Sequence, residues 1–118
     1  RIQPTDLCII LGNALDNAIE ACVKSDASTG QREPFIRLYS RCQQDMLILT
    51  VENSFDGELK ISSGSVFPVT TKADRDAHGI GMRNIRAAAE RYQGGVSWEA
   101  AEKRFTLTVM LNNGILTV

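Results

Sequence analysis

Between Asp6 and Val23 the residues Leu7, Leu11, Ala14, Leu15, Ala18 and Cys22 recur at intervals of three and four, which predicts an amphipathic helix over 6–23. One face of such a helix must be covered and the other must not, so the rest of the chain has to supply a second layer. Thr5, following Pro4, is the expected N-cap. "FIRLYSRC" (35–42) and "MLILTVEN" (46–53) read as strands joined through Gln43-Gln44-Asp45 into an antiparallel hairpin. "GVSWEA" (95–100) and "RFTLTVML" (104–111) read as two more strands around a turn at Ala101–Lys103. Between the two pairs, Met82, Ile85, Ala89 and Tyr92 repeat at helical spacing up to Gly94-Gly95. The polar stretch 24–34 ends in Pro34 and reads as a loop. Ser54 to Ala77, rich in glycine and small polar residues with one weak strand-like piece at "SVFPV", reads as a long mobile lid. The order helix, strand, strand, lid, helix, strand, strand predicts an α+β protein: a two-layer α/β sandwich with a mixed, mostly antiparallel sheet and the helices on one face.

A chain of 118 residues carries one core and not two, so 1–118 reads as a single domain. Its formal charge of −1 lacks the basic excess of a general nucleic-acid binder, which excludes nucleic acid as the expected partner. No apolar run approaches the roughly 18 residues of a membrane span. Cys8, Cys22 and Cys42 form neither a CxxC nor a Cys/His ligand pattern, which fits a reducing cytoplasm and suggests no zinc site. Cys8, Cys22, Tyr92 and Trp98 are expected in the core. The start "RIQPTDL" reads as an internal fragment of a longer protein.

Three short segments carry chemistry. On the first helix Asn13, Asp16, Asn17 and Glu20 form one stripe opposite Leu11, Leu15, Ala18 and Cys22. A solvated face is the plain reading. Two asparagines at i and i+4 nevertheless sacrifice helix propensity, and an amide oxygen is an apt ligand for a hard cation that keeps water and phosphate in its shell. In "VENSFDG" (51–57), Asn53 at a strand end is placed to read a base edge, and Gly57 to let a flat ligand approach the backbone; a simple strand-ending turn has the same composition. In "AHGIGMRNI" (77–85), Gly79-Ile80-Gly81 leading into a helix would offer N–H groups and the positive helix end to an anion, with Lys72, Arg75 and Arg83 adding charge. It is neither a dinucleotide fingerprint nor a P-loop.

These three pieces in this order resemble the GHKL-type ATPase domain, specifically the catalytic ATP-binding domain of bacterial sensor histidine kinases. "LGNALDNAIEAC" is similar to the N box, "VENSFDG" to the G1 box and "TTKADRDAHGIGMRNI" to the end of the ATP lid with the G2 box, and the closest similarity is to quorum-sensing kinases paired with LytTR-type response regulators. The resemblance implies the Bergerat ATP-binding fold, with ATP and Mg²⁺ as cofactors. It places ATP against Asn13, Asn17, Glu20, Asn53, Gly57, Lys72, His78, Gly79, Ile80, Gly81 and Met82, with Asn17 as the metal ligand and His78 as a phosphate or lid contact. Asn53 stands where most of the family has an aspartate, so the adenine amino group meets a neutral acceptor, weaker by about 1 kcal/mol. Phe55 replaces the first glycine of that box, and the C-terminal Gly-Thr box is absent around Thr106. Hydrolytic relatives carry a glutamate where Asn13 stands, and an amide cannot activate water.

By the same resemblance the phospho-acceptor histidine lies on a separate dimerisation domain of the same protein, and no catalytic residue is expected within the fragment. The full-length protein is expected to be a homodimeric, membrane-anchored bacterial sensor with this domain in the cytoplasm. The contrasting readings are a degenerate GHKL interaction module without catalysis and an anti-sigma-type serine kinase.

Overall fold

The computed structural model describes residues 2–29, 34–55, 60–61, 68–69 and 72–114, with side chains described for all of these except 24–29, 60–61, 68–69 and 72–80. The first helix, α1, spans Pro4–Thr29. Its cap is Gln3 rather than the expected Thr5: the Gln3 carbonyl accepts the amides of Asp6 at 3.1 Å and Leu7 at 3.2 Å. Proline at the first helical position, where its missing N–H costs nothing, draws the boundary two residues earlier than a threonine cap would. Asp6 in the first turn faces the positive end of the helix dipole. The helix also outruns the expected end at 23, because polar composition by itself does not terminate a helix.

Strands β1 (Ile36–Gln43) and β2 (Met46–Ser54) form the expected hairpin, with Gln43 opposite Met46 and Gln44 in the left-handed region at φ 56°. Two short paired strands follow, β3 (Lys60–Ile61) and β4 (Pro68–Val69), the latter inside "SVFPV". Ser54 and Phe55 of the expected lid continue the end of β2, the second helix, α2 (Lys72–Glu90), is already under way at Lys72, and the rest of that segment lies outside the described residues. Strands β5 (Gly95–Ala101) and β6 (Arg104–Asn112) pair around Glu102-Lys103, both left-handed at φ 53° and 62°. Two positive φ values in a two-residue loop match the right-handed twist of the strands it joins. The four-stranded sheet runs β1-β2-β6-β5 and every described pairing is antiparallel, in keeping with the mostly antiparallel sheet expected.

Register places Leu49, Val51 and Asn53 of β2 opposite Val109, Leu107 and Phe105 of β6, all on the face that meets the helices. Against them pack Ile10, Ala14 and Ala18 of α1 and Met82, Ile85, Ala88 and Ala89 of α2. The buried centre of α1 is thus the row 10, 14, 18, while Leu7, Leu11 and Leu15 lie half-buried at its side. Small alanines on both helices let their axes approach, and each fully buried Ile or Leu adds roughly 1.5–3 kcal/mol. Helix α2 ends in a closed turn: Gly94 N donates to Ala89 O and Gln93 N to Glu90 O, with Gln93 left-handed at φ 53°.

One expected core residue stands elsewhere. Cys8 is exposed, since its position on α1 points away from the 10, 14, 18 row. Trp98 is half-buried and packs against the core cluster, stacked on Phe105 with centroids 5.7 Å apart. Cys22 and Tyr92 are buried as expected.

Candidate functional site

Because the buried row of α1 lies beside Asn13 and Asn17, the polar stripe divides. Asn13 and Asn17 are half-buried on the core margin, and Asp16 and Glu20 are exposed. Asn13 Nδ2 donates to the Ile9 carbonyl at 2.7 Å, one turn back. That bond orients its Oδ1 toward α2, where a Cβ built on Gly81 would lie 3.1 Å from it. Asn17 Nδ2 is the one buried side-chain nitrogen or oxygen among the described residues without a hydrogen-bond partner. An orphaned buried amide costs about 1–3 kcal/mol, a cost that a bound group with an acceptor here would offset. Half a turn about the amide exchanges Nδ2 for Oδ1, so the same position serves a phosphate oxygen as donor or a hard cation as ligand. Among the described residues no cluster of three His, Cys, Asp or Glu is formed, and Mg²⁺ needs none when phosphate and water fill its shell.

At the other end, Asn53 is buried, 4% exposed, on the helix-facing side of β2. Its Nδ2 donates to the Ser54 carbonyl at 3.0 Å, which commits the nitrogen and leaves Oδ1 as the accepting end of the amide. Ser54 is itself anchored: its N donates to Phe35 O at 3.1 Å and its Oγ accepts Phe35 N at 3.0 Å. Cys22 Sγ lies 3.3 Å from Phe35 O and 3.5 Å from Ser54 Oγ, tying α1 to this strand end. Ser54 and Cys22 escaped the sequence reading, because a small hydroxyl and an apolar-face cysteine carry no site signal of their own. Phe55 keeps the strand path instead of disrupting it. Its N donates to Lys103 O at 3.1 Å, and its ring sits edge-on to Phe105, with centroids 6.4 Å apart.

α1 is therefore one wall with Gly81 against Asn13 at one end and the Asn53 strand end against Cys22 at the other. From position 13 to 22 the helix rises about 13 Å. Met82 is buried in the core cluster. Gly57 lies outside the described residues, as do the side chains of Lys72, His78 and Ile80. Gly79 and Gly81 do not lead into a helix: α2 begins seven residues before Gly79, and both lie in its interior. Glycine is a weak helix former and so reads as a boundary, but here α2 is anchored by Met82, Ile85, Ala88 and Ala89 and continues through it. The N–H of Gly81 is then committed to the carbonyl four residues back, and an open anion cradle is not formed there.

A two-layer sandwich with an antiparallel β1-β2-β6-β5 sheet and two helices on one face is the fold of histidine kinase catalytic domains. It matches a nucleotide-free catalytic domain of histidine kinase ThkA with a TM-score of 0.68 at 21% identity, covering 95% of this chain and 70% of that one. Acinetobacter baumannii histidine kinase AdeS matches at TM-score 0.61 and 16% identity, covering 94% of this chain and 47% of that one. The histidine kinase domain of the blue-light activated kinase of Erythrobacter litoralis matches at TM-score 0.63 and 13% identity, over 92% and 43%. No curated protein matches the chain significantly. The GHKL domain model matches residues 2–112, and the chain belongs to that family.

Proposed function

We propose that this chain binds MgATP as the catalytic domain of a two-component sensor histidine kinase and donates the γ-phosphate to a histidine on a separate dimerisation domain. The observation that carries the reading is a pair of asparagines on α1, the unsatisfied Asn17 and the tethered Asn13, together with a buried acceptor, Asn53, at the end of β2 that Cys22 of the same helix meets through Ser54. The separation suits a nucleotide lying along the helix, its base at Asn53 Oδ1 and its phosphates at Asn13 and Asn17. Mg²⁺, when bound through Asn17, supplies neutralisation of the phosphate charge. Asn13 holds no proton-accepting group for water, so hydrolysis by the isolated chain is slow and phosphoryl transfer is left to an acceptor brought from outside. A LytTR-type response regulator, a homodimeric parent protein and a membrane anchor complete the proposal.

Calorimetric titration with MgATP tests it. We expect saturable binding that Asn17→Ala weakens at least tenfold. A folded chain that takes up no nucleotide at millimolar MgATP would identify a degenerate GHKL interaction module instead. Turnover matching that of a dedicated ATPase would overturn the role given to Asn13.

A further inference from the structure

We propose that Asn13 is a positioning residue and that Gly81 serves this site through it: the tethered carboxamide is the stop against which α2 rests. Two observations meet here. Asn13 Nδ2 is held by the Ile9 carbonyl at 2.7 Å, so its Oδ1 is not free to swing. Gly81 is buried in the interior of α2, with that Oδ1 3.1 Å from where a Cβ would stand. Elsewhere in a helix a glycine is replaced by alanine with a gain in stability. Here a methyl group needs the Asn13 amide or α2 to give by a few tenths of an ångström, and the bond to Ile9 O resists the first. The separation of the two helices beside Asn17 is therefore set by a missing side chain, and the Gly81 amide, committed inside the helix, takes no direct part in holding phosphate.

A double-mutant cycle with Gly81→Ala and Asn13→Ala reads this in the ligand-free chain, so it stands apart from the nucleotide-binding proposal on which only its second arm rests. Gly81→Ala should lower Tm by about 3–6 °C, and Asn13→Ala should restore most of that loss. A rise in Tm for Gly81→Ala alone, or additive losses, overturns the proposal. If Gly81→Ala does not fold, recovery of folding in the double variant supports it and failure of the double variant overturns it. In ¹⁵N–¹H spectra the Asn13 side-chain NH₂ pair should shift in Gly81→Ala, whereas an unmoved pair counts against the stop. In the second arm, MgATP affinity should fall about tenfold with Gly81→Ala in the native background and stay unchanged by it in the Asn13→Ala background. A loss of equal size in both backgrounds would place Gly81 directly on the phosphates and reject positioning through Asn13.

Discussion

Asn53 donates its side-chain nitrogen to the carbonyl of the next residue, and that bond changes what substitution there should do. Aspartate would bring a better acceptor for an adenine amino group, but it would also set a carboxylate oxygen against the Ser54 carbonyl. We expect Asn53→Asp to lower stability by about 1–2 kcal/mol in urea unfolding, offsetting any gain at the proposed base contact. Gly94 gives a second prediction at this scale. A Cβ there would overlap the Met110 carbonyl, so Gly94→Ala should cost at least about 2 kcal/mol, while its left-handed neighbour should gain about 1 kcal/mol as Gln93→Gly. The candidate site was legible as residue types: two asparagines one turn apart, and an asparagine at a strand end. Its hydrogen bonds were not, because the partners of Asn13, Asn53 and Cys22 are mainly backbone carbonyls, and every residue has one.

The start of α1 is clamped to the end of α2. Tyr92 OH accepts the Gln3 amide at 2.9 Å and donates to Asp6, whose carboxylate also meets Arg91 at 2.5 Å. The tyrosine hydroxyl, and after it Arg91, holds the Asp6 carboxyl below its ordinary value of 3.8; Asp6 in turn raises Tyr92 above 10.0. The signs differ. The Asp6 contribution is fully present above its unfolded value and is lost as pH falls through the lowered one. The Tyr92 contribution is present below 10.0 and is lost as pH rises through the raised one. Tyr92→Phe should flatten both flanks of a plot of Tm against pH and leave its middle lowered; unchanged flanks would show that the clamp does not titrate with folding. In the β5–β6 turn, neither Glu102 nor Lys103 suits a left-handed backbone, and Asn-Gly in their place should raise stability by about 1 kcal/mol in thermal unfolding. Strands were easily read because alternation and turn composition agree. The end of α1 and the start of α2 were not, since polarity and glycine mimic boundaries that the helices run through.

For the whole molecule, the sheet order has β6 between β2 and β5, so the innermost pairing joins residues fifty or more positions apart. Truncation after residue 103 would leave β2 half-paired and β5 without a neighbour, and circular dichroism should report loss of the cooperative unfolding transition. Two hairpins side by side were foreseeable from spacing alone, but which strands become neighbours was not, because that order is settled by long-range packing. The clamp has one more consequence, for load. Ile2 N is bonded to Asn113 Oδ1, Gln3 N to Tyr92 OH and Asn112 N to Tyr92 O, so the incoming chain is fastened to the far end of both α2 and β6. A pull at Ile2 would be carried by those bonds before it reached Asn13 and Asn17, and the fold would yield mechanically at residues 2–3 while the proposed binding face was still intact.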